Sequence, residues 1–212
     1  MQWTLVVPLK PLARAKSRLA GTAAHGLRPG LALAFAQDTV AAALASPAVR
    51  DVAVVTDDEL AGRELSALGA RILPDEPGQG LNAALEYGAA MVRTARPQSR
   101  VAAVNADLPA LRPAELARVL DAAAQFPRAF LPDAAAIGTT LLAAGPGVEL
   151  LPAFGTDSRA RHRASGAREL ELDTVDSVRQ DVDTGDDLRA ALLLGVGPRT
   201  AAATARLLIA GQ

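Results

Sequence analysis

The chain has 212 residues, a formal net charge of −1 and no cysteine. This composition excludes disulfides, thiolate nucleophiles and zinc–thiolate sites, and the near-zero charge does not favour a nucleic-acid partner. Half of the residues are apolar but only 3% are aromatic, so we expect an aliphatic core in a single domain of residues 1–212. Because no apolar stretch reaches about 20 residues and no signal-peptide pattern is found, we expect a cytoplasmic protein without a membrane partner.

Apolar runs alternate with helical patterns as far as residue 124. The predicted strands cover residues 3–9, 51–55, 71–73 and 101–104. The predicted helices cover residues 31–45, 59–68, 81–95 and 113–124. This alternation predicts a Rossmann-like α/β fold, with a mostly parallel central sheet and helices on both faces.

The pattern changes after residue 127. Shorter apolar segments at residues 128–132 and 138–144 predict strands, which we expect to be antiparallel at one edge of the sheet. A helix is predicted over residues 158–165, a last strand over residues 169–172, and a final helix that ends at Leu194. The remaining residues give no clear pattern.

The segment after the first predicted strand is basic. It contains Lys10, Arg14, Lys16 and Arg18, and its two lysines are the only lysines in the chain. Ligands of an open α/β sheet bind beyond the carboxyl ends of the strands, so these cations are placed to face a triphosphate. Neither a Walker A loop nor a dinucleotide fingerprint is present. A solvated basic loop is the alternative, and this segment alone does not decide between the two.

An aspartate follows the fourth predicted strand. Asp107 lies in the sequence Asn-Ala-Asp-Leu-Pro, directly after residues 101–104. A carboxylate at a strand end suits Mg²⁺, which proteins hold with one or two carboxylates while substrate phosphates and water complete the shell. A turn or helix-cap aspartate is the alternative, and it is the commoner role for an isolated Asp.

Residues 181–188 read Asp-Val-Asp-Thr-Gly-Asp-Asp-Leu. Asp181 and Asp183 share one side if the segment is extended. Thr184 is placed to cap the next helix, whose first turn holds the two later acids, residues 186 and 187. The later acids therefore have a structural explanation, whereas Asp181 and Asp183 have none and are candidates for function.

Two segments combine glycines with small hydroxyl residues: Gly138-Thr139-Thr140 and residues 154–159. Such segments let backbone N–H groups approach an anion, and Ser158 opens a predicted helix whose N-terminus favours one. Two ordinary turns are the alternative, and Asp157 opposes an anion unless it points away. His162 lies one turn further along the same helix and could contact a substrate, although an exposed or capping histidine is commoner.

Six motifs in order resemble one known family: VPLKPLARAKSRLA, GLNAALEYG, NADLPAL, GTTLL, FGTDSRARH and DVDTGDDL. They resemble the guanylyltransferases of coenzyme F420 biosynthesis, which have the nucleotide-diphospho-sugar transferase fold. The resemblance implies transfer of GMP from GTP to phosphoenolpyruvate or 2-phospho-L-lactate, release of pyrophosphate, and hand-off of the product to the next enzyme. The composition, rich in Ala, Arg and Gly, is typical of a GC-rich genome, and the resemblance to bacterial, especially actinobacterial, members implies phosphoenolpyruvate as the acceptor; this choice rests on lineage and not on any residue. A nucleotidyltransferase of the sugar-phosphate or molybdenum-cofactor type, and a nucleotide-binding module without catalysis, are the alternatives.

The resemblance also implies roles for individual residues. The residues assigned to Mg²⁺ are Asp107 and Asp183, which with Lys10 and Lys16 form the implied catalytic set. Those assigned to the phosphate and carboxylate end of the acceptor are Thr140, Gly155 and Ser158. Those assigned to GTP are Lys10, Lys16, Arg18, Gly80 and Asn82. The acceptor phosphate is already an anionic nucleophile, so the implied reaction needs positioning and charge neutralisation more than a general base.

Overall fold

A computed structural model describes residues 2–14 and 28–210, with side chains for residues 2–13 and 29–205. Lys16 and Arg18 lie outside the described residues, so their contacts with phosphate stay predictions. The described strands form one sheet of seven in the order β3-β2-β1-β4-β6-β5-β7. They are β1 (Trp3–Pro8), β2 (Val49–Val55), β3 (Arg71–Leu73), β4 (Arg100–Val104), β5 (Arg128–Pro132), β6 (Thr139–Ala144) and β7 (Arg168–Glu169).

The sheet is mostly parallel, as the sequence predicts. Among the described strands β6 alone runs antiparallel, against both β4 and β5, while β7 pairs in parallel with β5. The predicted antiparallel pairing of β5 with β6 is confirmed, whereas the predicted place at the edge of the sheet is wrong, because β6 lies between β4 and β5. All six residues of β6 are buried, and a strand that is buried on both faces packs inside a sheet rather than at its rim.

Helices cover both faces of the sheet. They are α1 (Arg28–Leu44), α2 (Glu59–Ser66), α3 (Leu81–Ala95), α4 (Pro113–Ala123), α5 (Ser158–Ala164), α6 (Asp176–Arg179), α7 (Gly185–Leu194) and α8 (Pro198–Ala210), with a 3₁₀ turn at Leu12–Arg14. The sequence does not predict α6 or α8. The Asp38 carboxylate on α1 accepts hydrogen bonds from the backbone N–H groups of Arg199 and Thr200, at 3.2 and 2.7 Å. The cap of α8 thus comes from a residue far away in the sequence.

Successive side chains of β1 pack into hydrophobic clusters on opposite faces of the sheet. Leu5 and Val7 pack with α1 and α4, whereas Val6 faces α3 on the other side of the sheet. Gly88 lets α3 lie close to the sheet, because a Cβ there would sit 2.6 Å from Val6 Cγ1 and 2.9 Å from Val55 Cγ2. Within the described ranges, no helix has both the length and the apolar character that crossing a bilayer requires.

Candidate active site

A cavity of about 720 Å³ opens at the carboxyl ends of β1 and β4. Because β6 is antiparallel, its first residues reach the same edge of the sheet and line the cavity with Gly138 and Thr139. Residues 154–158 close another side. The cavity has the size and the sheet-edge position that are typical of ligand sites in α/β proteins.

Five predicted site residues line this cavity: Lys10, Asp107, Gly155, Ser158 and Asp183. Lys10 is exposed, and it is the one cationic side chain among the described cavity-lining residues. The cavity also receives Asp181, the partner of Asp183 in the Asp-x-Asp segment. Residues that are distant in the sequence therefore meet at one place, and their individual roles stay predictions.

Backbone hydrogen bonds join the two acidic segments. The N–H of Val182 donates to the carbonyl oxygen of Asp107 at 3.1 Å. The Asp107 turn is also held by Thr39 on α1, whose hydroxyl accepts from the N–H of Leu108 at 3.0 Å and donates to the carbonyl oxygen of Ala106 at 3.2 Å. The strand end and the late acidic segment are thus fixed side by side.

Of the two later acids, Asp187 is confirmed as a capping residue, whereas Asp186 lies in the first turn of α7 and pairs with Arg189. Thr184 and Asp187 form a reciprocal capping box at the start of α7, in which Asp187 accepts from the Thr184 N–H at 2.7 Å and Thr184 accepts from the Asp187 N–H at 3.3 Å. Asp187 also accepts from the N–H of Asp183 at 3.1 Å. This box fixes the backbone of Asp183 and leaves its carboxylate beside the cavity.

The segment of residues 150–157, here called the 150–157 loop, forms the other wall. Its backbone has positive φ at Leu151 (+49°), Gly155 (+110°) and Asp157 (+54°). Asp157 is exposed, precedes α5, and makes no side-chain capping bond to it within the described residues. None of the backbone N–H groups of residues 155–157 donates to another described residue, and all three residues line the cavity.

His162 on α5 is fully buried behind this wall. Its Nε2 accepts from the N–H of Ala153 at 2.9 Å, so the ring proton is on Nδ1 and donates to Thr139 Oγ1, also at 2.9 Å. Burial, together with the positive charges of Arg128 and Arg161, lowers the pKa of His162 to about 4. At neutral pH the imidazole is therefore uncharged and joins the 150–157 loop to the start of β6.

Three predicted binding residues lie outside the cavity lining: Thr140, Gly80 and Asn82. Thr140 is buried, and its hydroxyl has no hydrogen-bond partner among the described residues. Gly80 precedes α3 with φ +96°, next to Leu81, which does line the cavity. The Asn82 side chain accepts from the N–H of Phe154 and donates to its carbonyl oxygen. Their predicted binding roles stay predictions.

Asp133 is a structural residue of the site that the sequence analysis did not single out. Its carboxylate accepts from the N–H groups of Ile137 and Gly138, at 2.9 and 2.8 Å, and so shapes the turn between β5 and β6. A Cβ at Gly138 would lie 2.4 Å from Asp133 Oδ2. An Asp and a Gly between two predicted strands are the usual signal of a tight turn, and this signal could have identified it.

No cluster of three or more His, Cys, Asp or Glu side chains suited to a metal ion occurs in the described part of the chain. The cavity instead offers the carboxylates of Asp107, Asp181 and Asp183 along one wall. Such a wall suits a hard cation that is shared between one or two carboxylates and the substrate.

Comparisons with known proteins agree with this geometry. The family model described as "Guanylyl transferase CofC like" matches residues 3–208. A Streptomyces coelicolor protein named phosphoenolpyruvate guanylyltransferase is 81% identical over 212 residues, which is 100% of each chain.

Solved structures show the same fold at low sequence identity. One from Desulfovibrio desulfuricans, classed with the nucleotide-diphospho-sugar transferases, has a TM-score of 0.62 at 17% identity and covers 90% of this chain and 86% of its own. A Mycobacterium tuberculosis protein solved with manganese has a TM-score of 0.56 at 22% identity, with coverages of 91% and 99%. The predicted fold and the predicted enzyme class are confirmed, and the chain belongs to the CofC-like guanylyl transferase family, a family of nucleotidyltransferases.

Proposed function

We propose that the chain, as a single guanylyltransferase domain of residues 1–212, transfers GMP from GTP to phosphoenolpyruvate. The products are enolpyruvoyl-2-diphospho-5'-guanosine and pyrophosphate, in the biosynthesis of coenzyme F420. Family membership supports guanylyl transfer. The name of the Streptomyces coelicolor relative supports phosphoenolpyruvate over 2-phospho-L-lactate as the acceptor.

One observation carries the proposal. Lys10, Asp107, Asp183, Gly155 and Ser158 come from four separate segments and line one cavity. A cation, a carboxylate wall and a wall whose backbone N–H groups donate to no other described residue are the parts needed to hold two anionic substrates together. A turn aspartate and a solvated lysine, the alternatives that the sequence left open, would have no reason to converge in this way.

We propose Mg²⁺ as the metal, held by Asp107 and Asp183. The donor set fits, because these oxygen ligands stand on an open wall and leave positions for phosphate oxygens and water. The manganese complex of the mycobacterial protein supports a divalent ion in this fold. When bound, the ion would neutralise charge that develops around the α-phosphate.

The side chains then act by binding and orientation. A phosphate oxygen of phosphoenolpyruvate forms a bond to the α-phosphorus of GTP, while the bond from that phosphorus to the β-phosphate breaks and pyrophosphate leaves with the electron pair. The attacking group is already an anion, so the chain need not remove a proton. We propose that Lys10, with Lys16 and Arg18, offsets the charge of the GTP phosphates, and that Thr140, Gly155 and Ser158 receive the acceptor.

The biological setting follows from the substrates. GTP and phosphoenolpyruvate are metabolites of the cytoplasm, and we propose that the enzyme works there. The product is a reactive mixed diphosphate, so we also propose direct hand-off to the next enzyme of the pathway.

An acceptor screen tests the proposed function. The protein is incubated with GTP and MgCl₂ and with phosphoenolpyruvate, 2-phospho-L-lactate or a sugar 1-phosphate in turn, and pyrophosphate is measured. We expect release with phosphoenolpyruvate at a kcat/KM at least about tenfold above that with the other acceptors. Release only with a sugar phosphate, or GTP binding without release from any mixture, would contradict the proposal.

A further inference from the structure

Two side chains from different helices hold the middle of the 150–157 loop. The Asn82 Oδ1 on α3 accepts from the N–H of Phe154 at 2.8 Å, and the Asn82 Nδ2 donates to the carbonyl oxygen of Phe154 at 3.2 Å. His162 on α5 accepts from the N–H of Ala153, the preceding residue, at 2.9 Å. Two consecutive backbone N–H groups are thus bound from behind the loop by side chains.

These bonds decide which part of the loop faces the cavity. The N–H groups of residues 153 and 154 are occupied, whereas those of residues 155–157 donate to no other described residue and belong to the cavity wall. The change of direction requires φ of +110° at Gly155 and +54° at Asp157. The two bound N–H groups come directly before this change of direction, so the anchors fix the backbone from which it starts.

Asn82 and His162 do not line the cavity. Both hydrogen-bonding groups of the Asn82 amide are directed at Phe154, and both ring nitrogens of His162 have protein partners. They are therefore poorly placed to bind GTP or the acceptor directly. Their effect on substrates passes through the backbone that they hold.

We propose that Asn82 and His162 are positioning residues for the acceptor, and that Asn82 does not bind the nucleotide. Asn82 couples the start of α3, beside the proposed nucleotide side, to the wall that receives phosphoenolpyruvate. This inference rests on the proposed function. The family resemblance assigned Asn82 to GTP binding. In contrast, this inference predicts that loss of the Asn82 side chain weakens binding of the acceptor and leaves binding of GTP unchanged.

Steady-state kinetics of Asn82→Ala test the inference. We expect the KM for phosphoenolpyruvate to rise by about tenfold or more, and the KM for GTP to stay within about twofold. The matched control is Arg93→Met on the same helix, which loses a hydrogen bond to the carbonyl oxygen of Gly145, 3.1 Å away, and an attraction to the charge of Glu149; both partners precede the 150–157 loop. The control is expected to lower the Tm and leave both KM values unchanged. A rise in the KM for GTP alone, or equal effects of the two variants, would overturn the inference.

A second measurement does not depend on turnover. In the substrate-free protein, amide hydrogen exchange at Phe154 should accelerate in Asn82→Ala and stay slow in Arg93→Met. At Ala153, exchange should be slower in His162→Gln, which keeps an acceptor near the Nε2 position, than in His162→Ala. An unchanged rate of amide hydrogen exchange at Phe154 in Asn82→Ala would overturn the inference even if the wild-type enzyme is active. Failure of the wild-type enzyme in the acceptor screen instead refutes the proposed function.

Discussion

The two walls of the cavity are held in different ways. The acidic wall depends mainly on bonds within or between its own segments: the Val182–Asp107 backbone bond and the capping box of Thr184 and Asp187. The 150–157 loop depends on side chains from other elements, Asn82 on α3 and His162 on α5. The capping box is local in the sequence and survives changes elsewhere in the fold, whereas the second wall keeps its shape only while the two helices stay in register with it.

The strongest test of the acidic wall is Asp183→Asn. The substitution keeps the size of the side chain and removes its charge, so we expect a loss of about 3 kcal/mol or more of transition-state stabilisation, at least a hundredfold in kcat/KM. The Tm should change little, because the capping bonds of this segment belong to its neighbours. Both quantities are measured on the same preparation, by pyrophosphate release and by calorimetry. A fully active Asp183→Asn enzyme would remove Asp183 from the metal site.

The opposite wall is tested through pH. The folded-state pKa of His162, about 4, lies below the ordinary value of 6.5, so between these two values the unfolded chain binds a proton that the native protein does not. The free energy of unfolding should therefore fall as the pH drops from 6.5 to 4, by up to about 3 kcal/mol from this group. His162→Gln should lack this component. Denaturant unfolding of both proteins at pH 7, 5.5 and 4 gives the comparison, and parallel curves for the two would contradict it.

The smallest effect is expected at the cap of α7. Asp187→Asn weakens the capping box and should cost about 1 kcal/mol of stability, with kcat/KM within about twofold of wild type. Asp187→Asn is the counterpart of Asp183→Asn in the same segment: the first is expected to lose stability and the second to lose activity. Chemical denaturation and the acceptor assay measure them side by side. A large loss of activity without a loss of stability would mean that Asp187, too, serves the reaction.

The acidic wall was accessible to sequence analysis because its signals are local. Asp107 follows a buried strand, and Thr184 with Asp187 has the spacing of a capping box. The mostly parallel sheet was predicted correctly because the alternating strand and helix patterns are also local in the sequence. The helical patterns at residues 81–95 and 113–124 match α3 and α4 within one residue at each end.

The 150–157 loop was not accessible, because its partners are remote. The Asn82–Phe154 bonds join residues 72 positions apart, and the bonds that cap α8 join residues 161 and 162 positions apart. A sequence pattern assigned Asn82 to the start of α3 but could not show which backbone it faces. The interior position of β6 could not be predicted for a related reason, because an apolar run in the sequence does not show which strands it pairs with in the sheet.

The antiparallel direction of β6 has a consequence for how the acceptor specificity of such an enzyme can be altered. The strand enters the sheet at the cavity and leaves it at the far end, where Gly145 bonds to Pro127 and to Arg93 on α3. The chain must then travel back along the α3 face, where Leu150 and Phe154 are buried, before it reaches the cavity again. The end of this return segment, residues 150–157, therefore shapes the acceptor wall. Altering that segment could exchange one three-carbon acceptor for another while the carboxylates at the strand ends remain as they are.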